Sequence, residues 1–220
     1  MLRLGEGRPL GLPLALLVDR LAPSLAVPLA LMRTSKNPIF MGAAYGYIFY
    51  FRGTPLLVQI YLTYYGLGQF EAVRESFLWP IFREAYWCAI IAFSLNTAAY
   101  TAEIFRGAIQ AVPHGEIEAA RAVGMSRVLQ YRRIILPSAF RLALPAYSNE
   151  VILMLKGSAL ASTITLLDLT GAARVIVSRT FAPYEVFITA AVFYLLITFV
   201  ITRGFIWAER KLNPQLRRPA

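Results

Sequence analysis

Polar side chains inside otherwise apolar stretches are the residues of this sequence best suited to bind a small charged molecule. Asn96, Tyr100 and Glu103 recur at intervals of four and three residues, so a helix over 85–108 places them on one face. For Asn96 and Tyr100, hydrogen bonding between helices is the leading interpretation, and contact with a bound substrate is the alternative. Glu103 stands nearer the end of the stretch with Arg106, where we expect pairing between helices or with a loop.

A carboxylate within an apolar stretch is a stronger indication of function. Glu150 shares a helix face with small residues, which favour contact with another helix over contact with lipid; they are Ala143, Ala146 and Gly157. We therefore expect Glu150 to face protein or a water-filled cavity, where it can bind a guanidinium, imidazolium or ammonium group. An ion pair with an arginine or lysine of another helix is the alternative. Asn149, about 100° further round the helix, is expected to support Glu150 or to contact a partner subunit.

Composition predicts the elements that position these side chains. Hydrophobic residues make up 58% of the 220-residue chain and charged residues 15%, whereas soluble domains have about 45–50% and about 25%. A soluble fold of this size would leave much of that apolar surface in water. A bilayer removes the difficulty, and at roughly 20 residues per span the chain holds about five helices. The sequence thus predicts an all-α, polytopic membrane helix bundle formed by a single domain, 1–220.

The predicted spans follow the apolar runs of the sequence. In chain order they are 12–32, 39–67, 85–110, 138–160 and 184–207, with a kink expected at Pro145. A further short helix is predicted at 163–175, over the outer opening. The run 39–67 is interrupted by Arg52-Gly53-Thr54-Pro55, so we expect a partial helix followed by a membrane helix with Pro55 in its first turn.

The first span is the least certain of the five, because Asp19, Arg20 and Pro23 lie within one turn. Charges at the centre of a bilayer cost several kcal/mol each, in the range of about 2.5–3.5 for insertion. A mutual ion pair between Asp19 and Arg20 would reduce that cost. The alternative is that the first twenty or so residues are not the genuine start of the protein.

The net charge of +10 predicts orientation rather than binding to nucleic acid. Basic residues lie in short segments between apolar runs, with no recognition motif for DNA or RNA. They are densest in 33–37, in 106–141 and near the C-terminus. Positive charge favours the cytoplasmic side, so these three segments are predicted to be cytoplasmic. Arg52 is expected to pair with an acidic group or to stabilise a helix end, with direct binding of a carboxylate as the minority alternative.

No motif in the sequence indicates catalysis or a bound metal. There is no phosphate-binding loop, nucleophile elbow or paired-histidine zinc motif. Cys88 and His114 are each the only residue of their type, so neither a disulfide within the chain nor a histidine cluster can form. The sequence predicts a protein without catalytic residues, metal or cofactor of its own.

The connection 111–137 carries the most informative pattern. Pro113-His114-Gly115 is predicted to end the preceding helix, and 116–123 to form a short one. Glu116 and Glu118 would lie near the positive end of that helix dipole. A short helix held outside the bilayer between two spans suits docking to another protein. An amphipathic loop at the membrane surface is the alternative.

The residues that follow are expected to make a turn and begin a second helix. Gly124 permits a sharp turn, and Ser126 can cap the next helix. That helix carries basic and apolar residues and leads through Pro137 into the following span.

The same connection carries a recognisable motif. It reads Glu118-Ala119-Ala120, three residues, Gly124, nine residues, Ile134, one residue, Leu136 and Pro137. This pattern resembles the cytoplasmic loop of permease subunits of bacterial ATP-binding-cassette importers. Four segments extend the resemblance to the branch that imports polar amino acids, particularly histidine, lysine, arginine, ornithine and opines. They are FRGTPLLVQ (51–59), SLNTAAYTAEIFRGAI (94–109), VPHGEIEAARAVGMS (112–126) and LPAYSNEVILMLKGSAL (144–160).

The resemblance implies a fold, a set of partners and a division of labour. The fold would be that of type I importer permeases, in the bacterial inner membrane with a cytoplasmic C-terminus. ATP and Mg²⁺ would bind to two separate ATPase subunits, and an extracytoplasmic binding protein would deliver the amino acid. A second permease, identical or homologous, would complete the pathway. The residues that would couple to the ATPases are Glu116, Glu118, Ala119, Ala120, Gly124, Leu136 and Pro137.

Two other functions stay open at the level of the sequence. An importer of acidic or neutral polar amino acids would use Glu150 as a structural partner. A small channel or membrane scaffold would use the basic loop for docking alone.

Overall fold

The computed structural model describes residues 11–212, and every regular element in that part of the chain is helical. The helices are α1 (Gly11–Arg33), α2 (Pro38–Gly53), α3 (Leu56–Tyr61), α4 (Glu71–Arg74), α5 (Trp79–Phe82), α6 (Ala85–Gln110), α7 (His114–Ala122), α8 (Arg127–Gln130), α9 (Leu136–Gly157), α10 (Leu169–Thr180) and α11 (Pro183–Leu212). The predicted all-α class is confirmed. Two of the C-terminal arginines that contributed to the predicted orientation, at positions 217 and 218, lie outside the described residues.

Helix α6 is the centre of the bundle. It packs most extensively against α1 and also against α9 and α2. Phe93 is fully buried in its N-terminal half, with Ile60, Leu14 and Met154 in the same apolar cluster. Alanines at Ala99 and Ala102 and neighbouring positions allow α1 and α2 to approach closely at the opposite half.

Helix α1 is continuous through the segment that the sequence made doubtful. It contains Pro23 and Pro28, and small and apolar residues at four-residue intervals face the bundle: Leu14, Val18, Ala22, Ala26 and Ala30. That stripe lies against α6. Asp19 and Arg20 do not form an ion pair, and one buried carboxylate oxygen of Asp19 has no hydrogen-bond partner among residues 11–212. The hydroxyl of Tyr147 instead donates to the Asp19 backbone carbonyl at 3.1 Å, which ties α1 to α9.

The predicted interruption within 39–67 is present. Helix α2 ends at Gly53, and α3 begins at Leu56, with Pro55 at the N-cap position in an extended conformation rather than in the first turn. A π-helical turn, Leu62–Gly66, and a 3₁₀ turn, Leu67–Gln69, continue α3. The break occurs because proline restricts the preceding residue to extended backbone.

The connection 111–137 folds into helices that begin earlier than predicted. Pro113 is the N-cap of α7, and His114 and Gly115 form its first turn, so these residues begin a helix instead of ending α6. The helix after Ser126 runs through a π-helical turn, Tyr131–Ile135, into α9. Pro137 lies in the first turn of α9 and has no N–H to donate to the preceding turn, which accounts for the wider π-helical turn there.

The segment predicted as one short helix at 163–175 is two helical pieces. A 3₁₀ helix, Ser158–Ile164, ends at Thr165 in a left-handed conformation with φ of 71°. Helix α10 follows and is capped by Asp168. The change of direction at Thr165 prevents a single helix, which the sequence pattern did not reveal.

Two described helices, α6 and α11, are long and apolar enough to cross a bilayer, and the bent pair Arg127–Ile164 with Leu169–Thr180 can count as a third. Helix α11 presents large apolar side chains outward along most of its length. Such a helix is suited to a lipid or subunit environment rather than to water. The count of five spans and their boundaries stay predictions.

Candidate functional site

A cavity of about 470 Å³ opens beside the α2–α3 break and is bounded by α6 and α9. Its polar lining brings together residues from α2, the α2–α3 break, α6 and α9: Arg52, Thr54, Asn96, Thr97, Tyr100 and Glu150. We call it the Glu150 cavity. Three of the residues selected from the sequence, Asn96, Tyr100 and Glu150, therefore lie at one place in the fold. The fourth, Asn149, is exposed on another face of α9 and does not line this cavity.

Glu150 is buried, with 8% of its surface exposed. No arginine or lysine nitrogen among residues 11–212 lies within 4.0 Å of its carboxylate, so the described residues do not form the alternative interhelix ion pair. Of the small residues expected on its helix face, Ala143 is buried and Gly157 is half-buried, but Ala146 is exposed. A buried carboxylate beside an open cavity is suited to receive a cationic group.

Asn96 joins α6 to the break between α2 and α3. Its amide donates to the side-chain oxygen of Gln59 at 2.9 Å and to the backbone carbonyl of Phe51 at 3.1 Å. The Gln59 amide donates in turn to the carbonyls of Phe51 and Thr54 and to the Thr54 hydroxyl. These contacts occupy the donors of Asn96 and satisfy carbonyls that the helix break leaves without partners. Asn96 therefore fits the interhelix interpretation.

Tyr100 presents its ring to Arg52. The guanidinium carbon of Arg52 lies 5.1 Å from the ring centroid, within the range of a cation–π contact. Tyr100 and Arg52 also line a second cavity of about 330 Å³, which extends to Glu103 and Arg33. We call this second space the Glu103 cavity.

Glu103 is the acidic member of a charge cluster between α1 and α6. One carboxylate oxygen lies 3.4 Å from Nε of Arg33, and the other lies 2.8 Å from Nη2 of Arg106. Arg33 also lies over the ring of Tyr45 at 5.0 Å. The expectation of interhelix pairing is confirmed for Glu103, which contacts Arg33 of α1, whereas Arg106 pairs with Glu103 within α6.

Helix α7 is anchored by one face to the C-terminal end of α6 and the N-terminal end of α9. Ile117 packs against an apolar cluster that includes Ala108, Val112 and Ile135, and Ala120 is buried. The hydroxyl of Ser138 on α9 donates to the Glu116 carboxylate at 3.3 Å. The opposite face of α7, with Glu118 and Ala119, is exposed.

The turn after α7 has the geometry that the sequence predicted. Gly124 has φ of +75°, and its N–H donates to the carbonyl of Arg121 at 2.9 Å. The Ser126 hydroxyl accepts from the N–H of Leu129 at 3.4 Å and caps α8. Leu136 is half-buried and Pro137 is exposed. The left-handed turn at Gly124 therefore fixes how α7 is held against the bundle.

Several residues that fix the site were not identified from the sequence. Gln59 and Gln130 are buried amides, and Gln130 donates to the Met125 carbonyl at 2.7 Å. Asp168 accepts from the Gly171 N–H at 2.8 Å and from the Tyr194 hydroxyl at 3.2 Å. A polar residue within an apolar stretch was the available signal for Gln59 and Tyr194. Their partners are distant in the sequence.

These features define a class of protein. The bundle is helical and apolar on its outside, contains a polar cavity with a buried carboxylate, and holds a short charged helix beyond the ends of its longest helices. That combination is typical of a subunit of a membrane transport system.

The chain belongs to the family of binding-protein-dependent transport system inner membrane components, whose profile matches residues 24–214. Members of this family are transport components and not enzymes. Three similar relatives are permease proteins of named transport systems. The nopaline system protein of Agrobacterium fabrum is 58% identical over 88% of this chain and 80% of its own length. The octopine system protein of Rhizobium meliloti is 55% identical over 96% of this chain and 86% of its own length. The histidine/lysine/arginine/ornithine system protein of Salmonella typhimurium is 52% identical over 85% of this chain and 80% of its own length.

Solved structures give the same result for the fold. A crystal structure of an amino acid ABC transporter with histidines matches with a TM-score of 0.81 and 37% identity, over 92% of this chain and 90% of that one. An inward-facing methionine ABC transporter matches with a TM-score of 0.75 at 17% identity, over 92% of both chains. At that identity the second match shows the fold alone.

Proposed function

We propose that this chain is a permease subunit of an ATP-driven importer of cationic amino acids, such as histidine, arginine, lysine, ornithine or the related opines. The relatives that support this are permeases of opine and histidine/lysine/arginine/ornithine systems. The observation that carries the substrate class is Glu150, a buried carboxylate that faces a cavity without an ion-pair partner in residues 11–212.

Glu150 would bind the cationic group of the substrate. A carboxylate in a site of low polarity attracts a cation more strongly than one in water, and its desolvation cost is offset once the cation is bound. Tyr100 would form a wall of the same site through its ring. Asn96 would hold the α2–α3 break in place, because both of its recorded donor contacts are to protein groups. Asn149, on the exposed side of α9, would contact the second permease.

Coupling to ATP would occur through α7 and the turn that follows it. The exposed Glu118 and Ala119 would contact an ATPase subunit, with Glu116, Ala120, Gly124, Leu136 and Pro137 holding the helix in position. ATP and Mg²⁺ would bind on two such subunits, one for each permease. Closure of the ATPases around nucleotide would shift a rigid-body equilibrium between inward-facing and outward-facing states.

The orientation follows from charge. The basic connections at 33–37 and 106–141 and the C-terminus would lie in the cytoplasm, and the Ser158–Thr180 region would lie at the outer side. An extracytoplasmic binding protein would deliver the amino acid there. The second permease, identical or homologous, would complete the pathway within the bilayer.

Reconstitution into proteoliposomes tests this proposal. The full complex, with its ATPases and binding protein, should take up labelled arginine or histidine only when ATP is present. Unlabelled glutamine or glutamate, added in excess, should reduce the uptake of labelled arginine only weakly. Uptake of glutamate or glutamine in preference to arginine would contradict the substrate class. Uptake that does not depend on ATP would instead indicate a channel.

A further inference from the structure

The Glu150 cavity contains two opposite charges that are not paired with each other. Arg52 and Glu150 both line it, but no nitrogen of Arg52 lies within 4.0 Å of a carboxylate oxygen in the described residues. In a site of low polarity such charges would gain by direct contact. Both side chains line a space of about 470 Å³, which is within the usual size of ligand sites.

The two roles expected of Arg52 from its sequence position are filled by other groups. Of the two carboxylates that line a cavity with Arg52, Glu103 is paired with Arg33 and Arg106, and Glu150 forms no ion pair among residues 11–212. Two carbonyls in the last turn of α2 are also satisfied without Arg52. The Tyr50 carbonyl accepts from the N–H and hydroxyl of Thr54, and the Phe51 carbonyl accepts from two side-chain amides, those of Gln59 and Asn96.

The contact with Tyr100 leaves the donors of Arg52 available. The guanidinium carbon lies 5.1 Å from the ring centroid, and the N–H groups of Arg52 form no ion pair among residues 11–212. Those N–H groups form a fork that matches a carboxylate in geometry and charge. The ring of Tyr100 therefore fixes the position of Arg52 while leaving its hydrogen-bonding edge for another partner.

We propose that Arg52 binds the α-carboxylate of the transported amino acid. Glu150 and Arg52 then form the two ends of a site for a zwitterion, with the cationic group at Glu150 and the carboxylate at Arg52. This inference rests on the proposed function for the substrate class, but the role of Arg52 applies to any amino acid that the cavity binds. Arg52 is thus a specificity-determining residue that selects amino acids over the corresponding amines.

Binding to the intact complex in detergent, without the binding protein, tests this inference directly. The probes are arginine, agmatine, which is arginine without its carboxylate, and glutamine. Wild-type complex should bind arginine at least about tenfold more tightly than agmatine, because one charge-assisted contact of about 1.4 kcal/mol is worth that factor. Arg52→Gln should weaken arginine binding about tenfold and leave agmatine binding within about twofold of wild type.

Two further variants separate this role from a structural one. Glu150→Gln should weaken arginine and agmatine alike, because both carry the guanidinium. Arg83→Gln removes an exposed arginine that pairs with Glu84 outside both cavities, and it should change neither affinity. If the Arg52→Gln complex does not assemble, Arg52→Met, which keeps an unbranched stem against Tyr100, takes its place.

The outcomes distinguish this inference from the proposed function. If the complex binds glutamine rather than arginine, the cationic substrate class is wrong, and Arg52→Gln should then weaken glutamine binding about tenfold. A preference for arginine over agmatine that survives loss of Arg52 would overturn the inference. Equal weakening of arginine and agmatine by the Arg52 variant would also overturn it, as would the absence of any amino-acid binding to the intact complex.

Discussion

The amide of Asn96 on α6 donates a 2.9 Å hydrogen bond to the side chain of Gln59 on α3, and the pair closes the break between α2 and α3. Both side chains are buried, and both also bond to the Phe51 carbonyl. The break places Arg52 and Thr54 at the cavity that contains Glu150. The geometry of the candidate site therefore depends on this contact between two amides that are 37 residues apart.

Replacing Asn96 with alanine should destabilise the bundle and reduce transport. Two interhelix hydrogen bonds are lost, at about 0.6 kcal/mol each in membrane proteins, and buried acceptors on Gln59 and Phe51 lose a donor. Thermal unfolding of the detergent-solubilised complex should show a lower midpoint.

A double-mutant cycle that combines Asn96→Ala with Gln59→Ala should give a coupling energy of about 0.5–1 kcal/mol. The exposed Gln69 offers a control, since Gln69→Ala should leave the midpoint unchanged. Additive effects of Asn96→Ala and Gln59→Ala would show that the contact contributes nothing.

Replacing Gly124 with valine should reduce both transport and the ATP hydrolysis that drives it. A Cβ at this position has no neighbour within 4 Å, so the cost arises from the left-handed φ of +75° and amounts to about 1–2 kcal/mol or more for a β-branched residue. Uptake and binding-protein-stimulated ATP hydrolysis should fall together while membrane insertion is retained.

Asparagine at the same position provides the matched control. Gly124→Asn tolerates the left-handed conformation and should keep most of the coupled activity. Normal coupled transport by a well-expressed Gly124→Val protein would count against a role for this turn in holding α7.

Replacing Glu103 with glutamine should loosen α1 without changing which substrate is carried. The variant leaves the Arg33 and Arg106 guanidinium groups without their shared carboxylate, and hydrogen bonds to charged groups contribute about 1.5–3 kcal/mol each. A lower unfolding midpoint and faster proteolysis of the α1 segment should result, with the order of substrate preference retained. A reversal of substrate preference in this variant would place Glu103 in the substrate site instead.

Replacing Asp168 with alanine should weaken the start of α10. The carboxylate accepts from the Gly171 N–H and the Tyr194 hydroxyl, and loss of a capping side chain costs about 1 kcal/mol. Hydrogen exchange should increase at the first amides of α10. Asp168→Asn keeps the acceptor oxygen and should retain most of the protection. Unchanged exchange in the alanine variant would show that α10 is held by its other contacts, including the 3.1 Å contact between Thr170 and Tyr194.

Features that depend on neighbouring residues could be predicted from the sequence. The turn at Gly124 and the cap at Ser126 follow from local backbone chemistry, and both are present. The interruption before Pro55 is present for the same reason. The all-helical bundle also follows, because composition alone requires an apolar environment for this chain.

Features that depend on long-range packing could not be predicted. Spacing along one helix indicated that Asn96 and Tyr100 share a face, but not that Gln59 is the partner of Asn96. The rotation of α9 decides that Glu150 is buried while Asn149 is exposed, whereas the sequence left open whether Asn149 supports Glu150 or contacts a partner subunit. Arg52 was expected to have an acidic partner or to bond to the helix end. Other donors satisfy that helix end, which only the folded chain reveals.

The most direct test of the account is uptake of labelled arginine by proteoliposomes that contain Glu150→Gln complex and are saturated with binding protein. Glutamine keeps the size and a hydrogen bond but removes the charge, so a loss of about 10-fold to 100-fold in uptake is expected from about 1.5–3 kcal/mol of charge-assisted binding. Assembly with the ATPases, measured by size-exclusion chromatography, should be unchanged. Uptake at the wild-type rate, or a complex that does not assemble, would contradict a substrate-binding role for this carboxylate.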